Sequence, residues 1–188
     1  MNASATGIYG DRDEELLDEK SPCGGGFLAD VCVAWEHALR TAREAGIRTA
    51  SCRFGVILSE SGGALTRMRP AFSAGLGGRL GSGLQWMPWI HLEDAVSAVI
   101  HTMECPTISG PVLATSPAPL RQAEFADLFA ASLGRKARAH VPAWVLRIAL
   151  GSMADELLLV SQRCVPTRLK ETGFVWRFPD PETALART

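Results

Sequence analysis

The chain has 188 residues with 19 Lys and Arg against 20 Asp and Glu, a formal net charge of −1, so no electrostatic footprint for nucleic acid or anionic lipid is expected. Its 47% hydrophobic and 21% charged content is ordinary for a soluble globular fold, and the length suffices for one domain with a sizeable core. The five cysteines, Cys23, Cys32, Cys52, Cys105 and Cys164, are scattered with no CxxC pair, which predicts reduced thiols rather than disulfides or a metal site. No apolar run approaches the ~18 residues of a membrane helix and no signal-peptide pattern opens the sequence, so a cytoplasmic location is expected.

In chain order, residues 3–10 read as small side chains leaving a strand and entering a loop, and residues 11–26 continue that loop. From Phe27 the apolar positions Leu28, Val31, Ala34, Trp35, Ala38, Leu39 and Ala42 keep a period near 3.6, which predicts an amphipathic helix over 27–44 stopped by Gly46. Residues 48–58 predict a strand. Gly62 and Gly63 then turn the chain into a helix over 64–74, bent or ended at Pro70. Five glycines within 75–83 predict an irregular loop. Residues 86–91 read as extended, 92–103 as a helix with Glu93 and Asp94 in its first turn, and 111–115 as a strand. A helix over 121–133 ends at Gly134, and another over 142–150 opens at Pro142. Short helical pieces follow, then a strand-like Phe174-Val175-Trp176 and a terminal helix from Pro181. This alternation predicts an α/β fold with a mainly parallel sheet and a smaller helical lobe beside it.

Four segments in this order resemble the extended short-chain dehydrogenases. Ser4-Ala5-Thr6-Gly7-Ile8-Tyr9-Gly10 resembles the end of their fifth strand, and Trp35-Glu36 sits in the helix that normally carries their Tyr-x-x-x-Lys pair. Arg53-Phe54-Gly55-Val56-Ile57-Leu58 resembles the strand end facing the nicotinamide. Residues 62–95, GGALTRMRPAFSAGLGGRLGSGLQWMPWIHLEDA, are similar to an atypical nucleoside-diphosphate-sugar epimerase subfamily whose members end in a small domain of unknown function, which residues 135–187 resemble.

The resemblance implies the C-terminal part of a Rossmann-like fold over residues 1–134, with a small, mainly helical lobe over 135–188. It implies NADP(H) as cofactor, with Ser4, Thr6, Arg53, Gly55, Val56 and Ile57 at its nicotinamide end. It also places Gln85, Trp86 and Trp89 on the substrate pocket, where aromatic faces suit sugar or nucleotide stacking. The Tyr and Lys of ordinary members are neighbours at i and i+4 on one helix face. Here those positions fall on Leu28 and Cys32, and the only tyrosine, Tyr9, is followed four residues on by Asp13. No catalytic residue is therefore assigned. The usual Ser or Thr position falls on Ala5, with hydroxyls displaced to Ser4 and Thr6. His91 is expected to bond backbone at the start of its helix, while Asp30, Arg67 and Arg69 are secondary candidates for a base and a phosphate contact.

The family's glycine-rich phosphate turn follows its first strand, and neither Gly24-Gly25-Gly26 nor residues 75–83 stands in that context. Roughly a hundred residues carrying two βαβ units are expected to precede Met1 in a complete family fold. Three functions stand as expectations. The first is an NADP(H)-dependent oxidoreductase or epimerase-like protein acting on an unknown small molecule. The second is a non-catalytic NADP(H)-binding or regulatory protein, for example one linked to cell division. The third is an inactive truncated fragment, whose open sheet edge would favour a homodimer or edge-to-edge association.

Overall fold

The computed structural model describes residues 1–188. β1 (Asn2–Ala5) opens the chain and passes into a single 3-10 turn at Thr6–Tyr9. A short β2 (Leu16–Leu17) interrupts the loop expected over 11–26. The helix expected over 27–44 divides into α1 (Phe27–His37) and α2 (Arg40–Glu44), ended at Gly46 with φ of 76°. α1 buries only Ala29 and Cys32 and α2 buries nothing, so no packing holds the two as one rod.

The strand expected over 48–58 also divides, into β3 (Ala50–Phe54) and β4 (Val56–Leu58). Gly55 is where the chain changes partners: its N–H bonds the Ala114 carbonyl at 3.3 Å, while the N–H of Val56 already bonds Pro88 at 2.8 Å. A Cβ on Gly55 would stand 2.7 Å from the Pro88 carbonyl oxygen, so only glycine admits this approach. α3 (Gly63–Ser73) runs on through Pro70 instead of ending there. The ring removes one donor only, because Ala74 N–H still bonds the Pro70 carbonyl at 3.1 Å.

β5 (Gly78–Leu80) lies inside the glycine-rich stretch expected to be irregular. β6 (Trp86–Met87) and β7 (Trp89–His91) follow, then α4 (Leu92–Glu104), β8 (Gly110–Ala114), β9 (Leu120–Arg121) and α5 (Gln122–Ser132). The last part holds β10 (Ala139–Val141), α6 (Ala143–Leu150), a π turn at Ala154–Leu158, β11 (Arg163–Cys164), α7 (Thr167–Glu171) and α8 (Pro181–Leu185). Residues 174–176 form no strand. Trp176 is instead held by its side chain, Nε1 donating to the Thr115 carbonyl at 3.0 Å.

The central sheet has the order β1-β3-β8, all parallel, with Ala5, Phe54 and Ala114 in one register row. Around it β4 pairs with β7 and β5 with β10 in parallel, while β6 and β9 are antiparallel. β11 pairs with β2. The C-terminal part is therefore joined to the first part through two strand pairs, β5–β10 and β2–β11. This is a Rossmann-like α/β architecture, with helices closing over parallel strands.

Three apolar clusters fill the space between layers. One joins Leu58, Leu65, Phe72, Trp89, Phe125 and Phe129. A second sets Cys52, Ile90, Ala98, Ile108, Val112 and Leu169 between the sheet and α4. The third surrounds Tyr9 with Ile8, Leu17, Cys32, Leu113 and Cys164. His91 Nδ1 accepts the Glu93 N–H at 3.2 Å, giving α4 the N-terminal cap expected of it. Asp94, 1% exposed, accepts the backbone N–H groups of Arg177 at 2.8 Å and Phe178 at 2.9 Å, fastening the tail onto the start of α4.

Each Asp94 oxygen thus serves one donor. Asp94→Asn replaces one acceptor with an NH2 group and leaves a buried N–H unpaired, which is expected to lower stability by about 1–3 kcal/mol in denaturant unfolding.

Candidate functional site

The carboxyl ends of β1, β3 and β8 finish level with one another and continue into Thr6, Gly55 and Thr115. Ligands of open α/β sheets bind outside such ends. Asn2 and Ser4 share one face of β1 by the two-residue period of a strand. Ser4 lies in register with Arg53, whose guanidinium reaches Glu36 on α1. Ser4 is 4% exposed, and its Oγ lies beside the Cys32 thiol without completing a hydrogen bond. Thr115 Oγ1, just past β8, is likewise buried and unpaired. A buried hydroxyl without a partner is costly, and at a strand end it is a group free to bond a ligand.

Thr6 is buried in the turn after β1, and Gly55, Val56 and Ile57 are half-buried where β3 hands over to β4. Arg53 has different contacts. Its Nε and one Nη donate to the two oxygens of Glu36 at 2.7 and 2.9 Å, and its other Nη donates to the Tyr9 hydroxyl at 2.8 Å. The Tyr9 hydroxyl in turn donates to the Asp18 carbonyl at 2.9 Å. Burial pushes the Tyr9 phenol well above its usual range, although Arg53 pulls the other way. Hydrogen bonds to Glu36 and Tyr9 hold the Arg53 guanidinium charged against the opposing effect of burial. Arg53 is thus a brace between the sheet, α1 and the turn after β1.

Leu28 and Cys32 face that turn. A Cβ on Gly7 would meet Leu28 Cβ at 3.6 Å and Cys32 Sγ at 4.0 Å. The two helix positions onto which the resemblance maps a Tyr-Lys pair therefore look onto the strand end, and they present a hydrocarbon and a thiol. Burial raises the Cys32 pKa, so the thiol is held neutral.

Beside this strand end lies a cavity of about 230 Å³. Gly7, Gly10 and Asp11 after β1 form one side, Leu28 and Ala29 of α1 another, and Arg147, Asp155, Glu156 and Gln162 of the C-terminal part the third. The three sides are held in place by hydrogen bonds between distant residues. Glu156 accepts from the N–H of Phe27 at 3.1 Å and of Leu28 at 2.7 Å, capping α1 from far along the chain. Ser161 N–H donates to Asp11 Oδ1 at 2.9 Å, and Gln162 Nε2 donates to the Gly10 carbonyl at 3.1 Å.

The residues expected on a substrate pocket are engaged elsewhere. Trp89 is 1% exposed in the core, with Nε1 donating to the Ala118 carbonyl at 3.0 Å. Gln85 is buried and donates to the carbonyls of Leu80 at 3.1 Å and Leu158 at 2.8 Å, tying the glycine-rich stretch to the C-terminal part. Trp86 is half-buried. The guanidinium carbons of Arg121 and Arg163 lie 4.2 and 4.7 Å from its ring centroid, and its Nε1 donates to Glu14 at 2.9 Å. None of the three lines the cavity. Asp11, Glu156 and Gln162, which do, carry no local sequence signal, since each is brought to the cavity by contacts across most of the chain.

Glu19, 7% exposed, anchors the loop before α1 to the sheet: its Oε1 accepts from Leu113 N–H at 3.1 Å and Arg168 N–H at 3.2 Å. Burial outweighs these bonds and raises its pKa. The folded state then binds this proton more tightly than the unfolded chain, so the group's stabilisation is present at low pH and lost as pH rises through the folded value. Glu19→Gln keeps Oε1 and removes the ionisation. The stability of the unaltered protein relative to this variant is expected to decline on going from pH ~4 upward and then level off, as read by thermal melts. Glu36→Gln strands the Arg53 charge and is expected to cost about 3–5 kcal/mol in denaturant unfolding.

Residues 141–188 match the domain of unknown function DUF1731. An epimerase family protein of Mycobacterium bovis is 48% identical over 174 residues, which are 93% of this chain and 58% of that protein. The crystal structure of the human epimerase family protein SDR39U1 (isoform 2) with NADPH superposes with a TM-score of 0.86 at 32% identity, over 98% of this chain and 62% of that one. The nucleoside-diphosphate sugar epimerase of Corynebacterium glutamicum superposes with a TM-score of 0.80 at 35% identity, over 98% of this chain and 36% of that one. The chain spans 62% or less of the length of each of these three proteins. Along nearly all of its length the chain is similar to epimerase family proteins, it closes in DUF1731, and its fold is the Rossmann-like fold that it shares with these relatives of the short-chain dehydrogenase/reductase type.

Proposed function

We propose that the chain forms the nicotinamide side and the substrate cavity of an NADP(H)-dependent, epimerase-like oxidoreductase. The observation that carries this reading is the row of parallel strand ends at Ala5, Phe54 and Ala114, opening at Gly7 onto a cavity walled by the C-terminal part. The chain's groups fit a nicotinamide there. Ser4 Oγ and Thr115 Oγ1 are hydroxyls without partners, suited to a carboxamide. Gly55 leaves the backbone bare where β3 hands over to β4, and Thr6, Val56 and Ile57 flank it.

A bound NADP(H) supplies or accepts hydride. The protein's part is to orient the ring with Ser4, Thr6, Gly55, Val56 and Ile57. Arg53 serves from behind, holding α1 and the turn in position. Gln85, Trp86 and Trp89 set the loops around the cavity by their hydrogen bonds. The human relative solved with NADPH supports this reading through its likeness over nearly the whole of this chain.

A second reading, cofactor binding without turnover, is favoured by one observation. The helix positions of the Tyr-Lys pair are Leu28 and Cys32, and the only phenol, Tyr9, is tied to Arg53 and Asp18. Neither Leu28 nor Cys32 can serve as the tyrosine acid with its lysine, so hydride chemistry requires a proton donor from elsewhere.

Ser4→Ala separates a ligand role from a structural one. Removing an unpaired buried hydroxyl is expected to raise stability by about 1 kcal/mol in thermal melts and yet to weaken NADPH binding roughly 3–10-fold in a fluorescence titration. Unchanged affinity would remove Ser4 from the nicotinamide site. Substrate-dependent loss of reduced-nicotinamide absorbance would exclude the second reading.

A further inference from the structure

Trp86 on β6 sits among three charged side chains. The guanidinium carbon of Arg121 lies 4.2 Å from its ring centroid and that of Arg163 lies 4.7 Å away. Glu14 answers the first of these cations. Its oxygens accept from Arg121 at 3.0 and 2.9 Å, and Oε2 also accepts from the indole Nε1 at 2.9 Å. With Arg121 and Glu14 cancelling, the group around the indole keeps one positive charge, that of Arg163.

Arg163 is held in place but not answered. Its backbone is fixed in β11 against β2, and the N–H of the preceding Gln162 donates to the Trp86 carbonyl at 3.0 Å. No hydrogen bond within the protein engages its guanidinium: Nε is buried without a partner, and the two Nη nitrogens reach solvent. An unpaired buried donor is costly, and stacking on the indole holds the cation there with no acceptor in the protein to offset that cost. A fixed, half-buried guanidinium with its two-pronged edge open is a preorganised receptor for an oxyanion. The single uncompensated charge matches a carboxylate, whereas the second charge of a phosphate would stand against Glu14. Along β11 Cys164 points into the cluster around Tyr9, so Arg163 points away from it. Neither Arg163 nor Trp86 lines the cavity beside Gly7.

We propose that Arg163, held against Trp86, is the binding group of a second site, outside the cavity, for a small molecule bearing a carboxylate. Nη1 and Nη2 donate to the two carboxylate oxygens, and Glu14 turns away ligands of higher negative charge. The site does not depend on how the cavity or the strand ends are used. A recessed guanidinium suits a small acid rather than the flat surface of a protein partner.

The test is NMR on the full chain, following the Trp86 indole N–H, whose resonance is identified by its loss in Trp86→Phe. Acetate, inorganic phosphate and chloride are titrated at one ionic strength, with a tri-glutamate peptide as a fourth probe. Acetate is expected to move the resonance saturably, with a Kd on the order of millimolar, and phosphate to bind several-fold more weakly. Arg163→Gln is expected to abolish the acetate response. Arg163→Lys keeps the charge without the fork and is expected to weaken binding about tenfold, which separates loss of the fork from loss of folding. Glu14→Gln, an exposed change that frees Arg121, is expected to reverse the preference so that phosphate binds more tightly than acetate. The proposal is overturned if acetate acts no differently from chloride, if Arg163→Gln responds to acetate as the unaltered protein does, or if Glu14→Gln leaves the preference unchanged. Binding of tri-glutamate without binding of acetate would make the partner a protein and overturn it as well.

Discussion

A cation on the middle strand of a sheet, shielded from water by the helix above it, must be answered by charge and hydrogen bonds from fixed directions. Arg53 is that cation, and three of its nitrogens are used: two on Glu36 of α1 and one on the Tyr9 hydroxyl. The bidentate geometry sets both the distance and the rotation of α1 relative to β3. The Tyr9 contact pins the end of the turn that leaves β1. With helix and turn both held, Gly7 comes to lie under Leu28 and Cys32, and the floor of the cavity follows.

The C-terminal part completes what this brace begins. Glu156 caps α1, Asp11 and Gly10 are bonded to Ser161 and Gln162, and Asp94 holds the backbone at 177–178. These contacts are between carboxylates or amides and backbone N–H or C=O groups, so they are directional and leave little freedom of register. One wall of the cavity therefore belongs to the DUF1731 segment.

Periodicity and glycine placement made most elements legible in the sequence: α1, α4, α5 and α6 fall close to where their apolar spacing and end signals put them. The departures share a cause. The strand over 48–58 breaks at Gly55 because Pro88 approaches it, and β5 forms in a glycine-rich stretch because β10 lies against it. Phe174-Val175-Trp176 has strand-like composition, but Trp176 is fastened by its indole and no ladder forms. In each case a partner distant in sequence decided the outcome over local preference.

The candidate site divides in the same way. Its proposed strand-end half, Ser4, Thr6 and Gly55 to Ile57, could be named from the sequence because each of its two short segments resembles a family motif. Its cavity half was not: Glu156 acts on residues 128 and 129 positions away and Gln162 on one 152 away, and no local pattern encodes such contacts. The resemblance placed Trp86 and Trp89 on a substrate pocket; in the structure the Trp89 indole is buried in the core and that of Trp86 lies beneath two guanidiniums. By itself the sequence determined the family resemblance, the alternation of strands and helices, and the presence of a single tyrosine, Tyr9, with no lysine four residues on, because these depend on residue identity and spacing. Only the tertiary structure decided that Arg53 is a brace and that acids from both ends of the chain line one cavity, because burial and hydrogen-bond partnership are properties of the packed molecule.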